Sequence, residues 1–550
     1  MSSWSATGGS GAWWGDGSPM TGKAQPHTLA DLAASLRVAR GDEPAEMVIK
    51  DTRFLDVFTG AFLEGDVAVH RGWIAGTQQA YAGVHEVDGR GVFVVPGFID
   101  AHVHIESSLL TPARFQQAVL PTGTTTVIWD PHEIANVRGR DGLAWALAAT
   151  EGLQLDVFVM LSSCVPSTDP ALGLETSGAL LGASDLTPLR GHPRVLGLAE
   201  MMNYPGLLAG DSGVLEKLWA FQDGPRDGHC PGLRGKELNA YGAAGIHSCH
   251  ESVTADEARE KLQKGLHALI REGSCAKDAD ALLPLLDDYS SAVIGLCSDD
   301  RNAADIVAEG HISAIVDKAL RAGHAPPCIF RAASFASARA YGLADRGAVA
   351  PGFLADVCLV RPRDGARWDS GLKVEAVYKR GRLVEAGALA AWAGSRAAGR
   401  PEGGGPNLRL APCMADDFRI EAPTHLDRVR ARVIGVRRRQ ILTEARWAWL
   451  LAREGRVQMD RRQDVLKIAV FERHHGTGRR TVGFVQGFGL QQGAIATSIA
   501  HDAHNAIVVG ADERAMAAAV THLARLDGGI VVVRNETDCE ALPLPIWGLM

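Results

Sequence analysis

Two histidines near residue 100 carry the strongest chemical signal in this chain. Residues 94–105 read VVPGFIDAHVHI, an apolar run that predicts a buried strand leading into His102 and His104. Side chains at positions i and i+2 of a strand point to the same side, so one metal ion can contact both. Imidazole suits zinc, manganese, iron or nickel. The alternative is an exposed strand that happens to carry two histidines, and the apolar neighbours argue against it.

Further ligand-type side chains stand at the ends of later predicted strands, namely Glu200, His229, His250 and Asp299, with Asp300 next to the last. A lone histidine is more often structural, so the inference rests on the whole set. Four histidines and two carboxylates suit two metal ions that share a bridging carboxylate and a bridging water. Asp299 can take the proton of an attacking water and pass it to the leaving group if it lies within hydrogen-bond reach.

These strand ends belong to a pattern of apolar strands and amphipathic helices between about residues 96 and 345. Alternating strands and helices predict a parallel sheet. Eight units predict a (β/α)8 barrel, whose active site lies at the carboxyl ends of the strands. The eight candidate strands are FIDAHVH, TTTVIWD, LDVFVML, RVLGLAE, a short one near His229, GIHSCH, HALIREGS and AVIGLCSD.

The segments that flank this stretch alternate apolar and polar residues in short runs, which is typical of a β-sandwich. The simplest arrangement is an α/β fold in which the barrel is inserted into one split sandwich. A Gly/Pro/Arg-rich linker at 396–412 then leads to a C-terminal α+β domain. The predicted boundaries are 1–45 for a poorly ordered tail, 46–95 with 346–395 for the composite β-sandwich, 96–345 for the barrel and 413–550 for the C-terminal domain.

Composition narrows the classes of partner. The 56 basic and 64 acidic residues leave no basic excess, which argues against nucleic acid. No window approaches the roughly 18 apolar residues of a membrane span, and the N-terminus does not resemble a signal peptide. The nine cysteines are scattered without paired spacing, which predicts reduced thiols in the cytoplasm. A homodimer or higher homo-oligomer is the expected assembly.

Longer strings resemble one enzyme family. PGFIDAHVH, the inserted barrel and the final-strand aspartate are similar to the amidohydrolase superfamily. Within it, IESSLLTPARF, GTTTVIWDPHEIANVRG, AEMMNYPG, SDDR and GFVQGFGLQQGAIATSIAHDAHNAIVVG resemble the bacterial adenine deaminases, from about residue 46 to the end. The resemblance implies a metal-dependent hydrolase of purine salvage that converts adenine to hypoxanthine and ammonia. It also implies a binuclear centre of the manganese or iron type, with zinc as the alternative.

The resemblance implies roles for individual residues. Glu200 would bridge the metals, and Asp299 would shuttle a proton from the attacking water to the amine that leaves C6. The implied metal ligands are His102, His104, Glu200, His229, His250 and Asp299. The expected lining of the aminopurine pocket is Ser107, Ser108, Asp130, His132, Glu133 and Asn136, although these residues equally fit a loop that caps a helix. His501 and His504 of the third domain are expected to reach over the barrel mouth toward substrate or an extra metal, with loop ordering as the alternative.

Three departures from the family pattern bear on activity. Cys249 stands where the family has aspartate, and we expect weaker hydrogen bonding around His250. His311 is present, but Ala314 replaces the second histidine of a Gly-His-x-x-His pattern. Family members usually continue past the position of Met550. The Cys249 change predicts reduced activity or a different aminopurine substrate, whereas the short C-terminus bears on stability or oligomerisation more than on chemistry.

Other functions were weighed against these residues. Many relatives that hydrolyse cyclic amides bridge their metals with a modified lysine on the fourth strand, where this chain has Glu200. An inactive scaffold would have lost ligands, yet all six are present. His104 and Glu106 match half of the cytidine-deaminase zinc signature, but its P-C-x-x-C partner is absent. A metal-dependent aminopurine deaminase is therefore the leading prediction.

Overall fold

The computed structural model describes residues 28–395, 406–535 and 538–550. The α-helices, numbered in chain order, are α1 (Leu29–Ala39), α2 (Pro112–Val119), α3 (His132–Ala149), α4 (Ala183–Leu186), α5 (Tyr204–Ala209), α6 (Ser212–Ala220), α7 (Gly235–Ala243), α8 (Ala255–Gln263), α9 (Ala279–Leu282), α10 (Ala303–Glu309), α11 (Ile312–Arg321), α12 (Pro326–Arg331), α13 (Ser337–Ala340), α14 (Ala386–Ser395) and α15 (Glu513–Leu526). Among these described helices, none is long and apolar enough to cross a bilayer.

The first sheet combines two segments that lie far apart in the sequence. Its strands are β1 (Ala45–Asp56), β2 (Ala61–His70), β3 (Trp73–Thr77), β4 (Gly83–Asp88) and β5 (Phe93–Pro96), followed after a long insertion by β14 (Val357–Pro362), β15 (Leu372–Lys379) and β16 (Arg382–Leu383). The order is β16-β15-β14-β5-β1-β2-β3, with β4 beside β1. Strand β14 pairs antiparallel with β5, and Cys358 lies opposite Val95. Both flanks of the insertion thus build one sheet, and its closure into a sandwich stays a prediction.

The insertion contains a parallel strand at each of the eight predicted positions. They are β6 (Phe98–Val103), β7 (Thr124–Trp129), β8 (Asp156–Leu161), β9 (Val195–Met201), β10 (Arg226–Gly228), β11 (Ser248–Cys249), β12 (His267–Arg271) and β13 (Ile294–Cys297). Five of them pair in the order β10-β9-β8-β7-β6 and three in the order β11-β12-β13. Every residue of β6 and β7 is buried, as expected where helices cover both faces of a parallel sheet.

The two groups of parallel strands meet at both ends, which curls the sheet. The amide of Asp299, just after β13, donates to the carbonyl of His102 on β6 over 3.0 Å. On the other side, the amide of His247 donates to the carbonyl of Arg226 over 3.1 Å and links β11 to β10. The carboxyl ends of strands from distant parts of the sequence therefore face one another.

The C-terminal region forms a third sheet. Its strands are β17 (Arg428–Val436), β18 (Thr443–Arg453), β19 (Arg456–Val457), β20 (Val465–Phe471), β21 (Arg480–Gln486), β22 (Ala494–Thr497), β23 (Ala506–Gly510), β24 (Gly529–Asn535) and β25 (Asp538–Pro543), in the order β19-β18-β17-β21-β20-β23-β22-β24-β25. Helix α15 packs on one face of this sheet. The ring of Trp547 lies 5.2 Å from that of Trp145 on α3, which ties the last residues to the parallel-strand region.

The predicted poorly ordered tail needs a correction in its second half. Residues 1–27 of that tail lie outside the described residues, as do residues 396–405 of the predicted linker. Residues 29–39, however, form helix α1. The hydroxyl of Thr28 caps the helix by accepting the amide of Asp31 over 3.1 Å, and Val38 is buried against Val48 and Ala68 of the first sheet. The tail prediction was wrong here because tertiary packing stabilises a short helix that composition alone does not indicate.

Asp156, at the start of β8, joins the parallel sheet to the first sheet through three cations. Its carboxylate lies 2.7 Å from both Arg346 Nη1 and Lys379 Nζ, and 3.2 Å from Arg380 Nη2. Burial opposes its ionisation, but Lys379, Arg380 and Arg346 hold the pKa of Asp156 well below its usual value. The folded state therefore favours the charged carboxylate.

The Asp156→Asn variant is expected to lose about 3 kcal/mol of unfolding free energy at neutral pH, since the buried Arg346 and Lys379 each lose one of two carboxylate partners. Because the folded pKa is depressed, this contribution is present above the unfolded pKa of about 4 and is lost as pH falls below it. Urea unfolding between pH 7 and pH 3 checks both points. The exposed Glu64→Gln is the matched control, and a loss no larger than that of Glu64→Gln at pH 7 would contradict the assignment.

Candidate metal centre

The first half of the centre lies where β6 and β13 end side by side. His102 Nε2 and His104 Nε2 are 3.1 Å apart. Asp299 Oδ1 lies 3.2 Å from His104 Nε2 and 3.6 Å from His102 Nε2. All three side chains are buried. The two histidines thus point to the same side, as the sequence predicted, and a carboxylate from the last parallel strand completes a three-atom cluster.

The second ring nitrogens of the two histidines fix their orientation. His102 Nδ1 lies 3.1 Å from Asp227 Oδ2, and His104 Nδ1 lies 3.0 Å from the carbonyl oxygen of Asp130. Both partners are acceptors, so each Nδ1 donates, and the two Nε2 atoms face each other with room for a shared proton or a metal ion between them. Two lone pairs aimed at one point would repel each other, and a cation between them removes the conflict. This pattern, a histidine oriented by an acceptor behind it, is usual for metal ligands.

Glu200 connects this half to a second one. Its Oε1 lies 3.3 Å from His104 Nε2, whereas its Oε2 lies 2.7 Å from His229 Nδ1 and 3.2 Å from His250 Nε2. Strand β9 therefore places one carboxylate oxygen toward each pair of histidines. The structure brings all six predicted ligands together, and Glu200 stands between the two halves.

The electrostatics of the centre favour bound cations. Burial opposes the ionisation of Glu200, but His229, His104 and His250 hold its pKa well below the ordinary value. Burial likewise opposes the charge on Asp299, and the pKa of that carboxyl is held low by His102, His104 and Arg271. The carboxylates are thus charged at neutral pH. Protons and metal ions compete for the histidine nitrogens beside them.

Two further residues, Arg271 and Asp227, support the candidate ligands, and the sequence analysis did not single them out. Arg271, at the end of β12, contacts Glu251 and donates to Asp299 Oδ2 over 3.0 Å. Asp227 accepts from His102, and also from the hydroxyls of Ser248 and Tyr341. Arg271 and Asp227 lie in or beside predicted strands, and this position could have identified them as candidates. A search restricted to metal-ligand types overlooks an arginine.

Some predicted pocket residues lie at the mouth of the centre. Glu133 Oε2 is 3.3 Å from His104 Nδ1, and its Oε1 is 3.4 Å from Nδ1 of His501 in the C-terminal region. His501 Nε2 lies 3.8 Å from Asp300 Oδ1, and the hydroxyl of Ser107 donates to the same oxygen. Glu133, His501 and Ser107 therefore form one connected group with Asp300, a residue that was noted only as the neighbour of Asp299.

The other predicted pocket residues make local or buried contacts. Ser108 donates to the carbonyl of Ile105, and the amide of Asn136 donates to the carbonyl of His132. His132 Nε2 lies 2.8 Å from the carbonyl of Cys164. His504 is fully buried, and its Nδ1 accepts the amide of Ala500 over 3.3 Å. These contacts match the loop-ordering alternative more closely than substrate contact.

Asp130 shares features with both the residues at the mouth and the residues that make local contacts. One oxygen accepts the hydroxyl of Ser162 over 2.8 Å, whereas Oδ2 has no hydrogen-bond partner among the described residues. Burial raises the pKa of Asp130 to about 6. Asp130 is buried, and one of its carboxylate oxygens lies near ligand atoms of His104 and Glu200.

Cys249 makes its contacts away from His250, and the weaker hydrogen bonding expected around His250 stays a prediction. Its sulfur is turned to the opposite side of the strand, 3.3 Å from Lys261 Nζ and 3.6 Å from Cys230 Sγ. His250 Nδ1 has no hydrogen-bond partner within the described ranges, but Cys249 points away from it. His311 is also buried, with Nε2 3.1 Å from Asp100 Oδ2 beneath the strand that carries His102.

Comparison with known proteins agrees with this geometry. Residues 93–384 match the profile of the amidohydrolase family, and residues 440–550 match that of the adenine deaminase C-terminal domain. A curled parallel α/β sheet with histidines and carboxylates at its carboxyl edge thus defines a metal-dependent hydrolase of the amidohydrolase class. "Adenine deaminase" of Cereibacter sphaeroides is 46% identical over 523 residues, covering 95% of this chain and 89% of that protein. "Adenine deaminase 1" of Rhizobium meliloti is 46% identical over 510 residues, covering 93% of this chain and 87% of the relative. The chain belongs to the adenine deaminase family.

Proposed function

We propose that this protein hydrolyses adenine to hypoxanthine and ammonia, a reaction of purine salvage. The observation that carries the proposal is the pair of Nε2 atoms of His102 and His104, 3.1 Å apart beside Asp299, in a chain of the adenine deaminase family. Water adds its oxygen at C6 of the purine, and the exocyclic amine leaves as ammonia.

The donor set fits two divalent metal ions. Four imidazoles and two carboxylates supply enough ligands for both, and the converging lone pairs of His102 and His104 call for a cation. Manganese or iron is proposed, with zinc as the alternative, because all three accept mixed imidazole and carboxylate ligands. Bound there, the metals would lower the pKa of water and polarise the bond under attack. Glu200, which lies between the two pairs of histidines, is the residue that would hold both ions.

Asp299 is proposed to move the proton during the reaction. Its low pKa makes it a charged acceptor for the proton of the attacking water, and it then returns that proton to the departing amine. Arg271 holds Asp299 Oδ2 over 3.0 Å, which leaves Oδ1 facing the two histidines. The guanidinium therefore orients the shuttle without touching substrate itself.

The space at the mouth is proposed to hold the purine ring. Ser107, Glu133 and His501 are the side chains best placed to contact it, together with Asp130 through its free oxygen. Asp300 joins this set, because it lies between Ser107 and His501. Ser108, His132, Asn136 and His504 are proposed to support the pocket by ordering its walls, since their polar atoms bind local backbone groups.

The finer architecture also belongs to this proposal. We infer that the eight parallel strands close as a (β/α)8 barrel over residues 96–345 and that the barrel is inserted in the composite sandwich of 46–95 and 346–395. Residues 413–550 would form the C-terminal domain that delivers His501 to the mouth. The scattered cysteines support a cytoplasmic location.

Ammonia release from adenine by the Mn²⁺-loaded protein, measured together with metal content, tests the function. Rapid release with about two metals per chain is the expected result. The Asp299→Asn protein, prepared in the same way, controls for contaminating deaminase. Stoichiometric metal without ammonia would exclude adenine and point to another aminopurine, whereas neither metal nor activity would favour the inactive scaffold.

His501 should contribute mainly to substrate binding. Replacing it with alanine removes a contact partner of Glu133 and Asp300 at the mouth, and we expect kcat/KM for adenine to fall about 10- to 100-fold, largely through KM. His85, exposed on β4, offers the matched His85→Ala control. Steady-state kinetics decides the matter, and unchanged parameters in a folded His501→Ala protein would remove His501 from the pocket.

A further inference from the structure

Two buried cysteines lie behind the second half of the candidate metal centre. Cys230 follows β10 and Cys249 ends β11, and both side chains are fully buried. The two thiols are free, and their sulfur atoms are in contact at 3.6 Å. Neighbouring parallel strands thus bring together two oxidisable groups that the proposed deamination does not use.

A buried ion pair holds the two sulfurs beside each other. Lys261 Nζ lies 3.3 Å from Cys249 Sγ and 2.8 Å from Glu257 Oε1, and the lysine side chain is fully buried. Glu257 also accepts the amide of Gly232, two residues after Cys230, over 2.8 Å. The same lysine and glutamate therefore fix the segments that carry both cysteines, so the contact between the sulfurs is a built feature of the fold.

We propose that Cys230 and Cys249 form an oxidation-sensitive modification site, which hydrogen peroxide converts to a disulfide. One thiol sulfur attacks a peroxide oxygen, the O–O bond breaks, and the thiol proton leaves with the released hydroxide as water. The second sulfur displaces hydroxide from the resulting sulfenic acid, and its proton leaves in a second water. The two sulfurs lose one electron each and the peroxide gains both. Disulfides in a reducing compartment are usually of this transient, redox-sensing kind.

The loop that follows Cys230 gives a small oxidant a way to the buried sulfurs. Gly232 and Arg234 in this loop are exposed, and Pro231 is partly exposed. Short exposed loops open locally at little free-energy cost compared with unfolding of the whole domain. Hydrogen peroxide is close to water in size, so a brief opening of this loop is enough to admit it.

The disulfide would act on the metal centre through two neighbouring histidines. Peptide bonds join Cys230 to His229 and Cys249 to His250, both candidate ligands. A disulfide is about 2.05 Å long, so the sulfurs must approach by about 1.5 Å from their 3.6 Å contact. His229 Nδ1 and His250 Nε2 lie 2.7 and 3.2 Å from Glu200 Oε2, and this movement displaces them from that oxygen. Oxidation should therefore weaken the second half of the centre and spare the half between β6 and β13.

Peptide mapping of the Mn²⁺-loaded full-length protein tests the modification directly. After peroxide treatment and blocking of free thiols, trypsin cuts at Arg234 and Lys236, which puts Cys230 and Cys249 on separate peptides. We expect these peptides to be joined by a bond that dithiothreitol cleaves. Cys275→Ser, which removes an exposed thiol, should leave the joined peptides unchanged, whereas Cys230→Ser should abolish them. Absence of joined peptides from the folded, treated wild type overturns the proposal.

Metal content and ammonia release of the same samples test the consequence for the centre. Oxidation should lower metal content from about two ions per chain to about one and reduce ammonia release about tenfold or more. Dithiothreitol followed by Mn²⁺ should restore both. Cys249→Asp cannot form the bond and places a carboxylate beside Lys261, so it should keep its metal through the same treatment.

Two outcomes separate this inference from the function on which part of it rests. Joined peptides with unchanged metal content would overturn the link between the disulfide and the centre. The loss of ammonia release rests on the proposed deaminase function, whereas the disulfide does not. A protein that releases no ammonia before oxidation would therefore refute that function, while the joined peptides still decide the modification.

Discussion

The Asp299→Asn variant is expected to lose about a thousandfold or more in kcat/KM for adenine while keeping its fold. An amide cannot accept the proton of the attacking water, and general acid–base groups typically contribute about 10²- to 10⁴-fold. The amide also places an NH₂ group or a neutral oxygen where His102 and His104 face a carboxylate 3.2–3.6 Å away. The loss of the proton acceptor and the loss of the carboxylate charge both lower kcat/KM. Steady-state ammonia release, with metal content measured on the same samples, gives the result.

Two comparisons make this result specific. Asp223→Asn removes an exposed carboxylate that pairs with Arg190, and it should leave kcat/KM unchanged. Arg271→Gln removes the group that orients Asp299, so it should lower activity less than Asp299→Asn does. If the Asp299→Asn protein kept about a tenth of wild-type activity with full metal content, Asp299 would not be the proton shuttle.

The Glu200→Gln variant is expected to have the second-largest effect, on metal content. Its two carboxylate oxygens each face a different pair of histidines, and glutamine has only one oxygen. We expect content to fall from about two metals per chain to fewer than one after dialysis, with ammonia release falling in parallel. Elemental analysis by mass spectrometry measures this directly. Circular dichroism establishes that the variant is folded.

Glu216→Gln is the matched control, since Glu216 is exposed on α6. It should bind metal as the wild type does. Retention of two tightly held metals by Glu200→Gln would contradict the bridging position of Glu200. Loss of metal from both variants would instead indicate that replacing a glutamate with glutamine lowers metal content wherever the glutamate lies.

The meeting of the six candidate ligands was predictable because each stands at the end of a predicted strand. A parallel sheet brings such ends to one edge, so local patterns are enough to predict that His102, His229 and Asp299 meet. The sequence also predicted all eight parallel strands and the joining of distant segments into one sheet. These are features that hydrophobic periodicity reports directly.

Other features depend on side-chain direction and tertiary packing, which local patterns do not report. Ser108 and His504 neighbour pocket residues in sequence, yet backbone geometry turns both toward local amides and carbonyls. Arg271 acquires its role only through contacts with Glu251 and Asp299 from two other strands. Helix α1 owes its stability to Val38 packing on the first sheet. These side-chain directions, the contacts of Arg271 and the stability of α1 all depend on the tertiary structure, not on the local sequence pattern.

The facing nitrogens of His102 and His104 are a point of local frustration built into the fold. Neighbouring acceptors direct both Nε2 atoms inward, so without a metal ion the two histidines must hold a proton between them to avoid facing lone pairs. A cation that binds the native state and not the unfolded chain resolves the conflict, and its binding energy is added to the folding energy. The melting temperature thereby becomes a chemical readout of the centre, on which candidate ions can be ranked before any substrate is added.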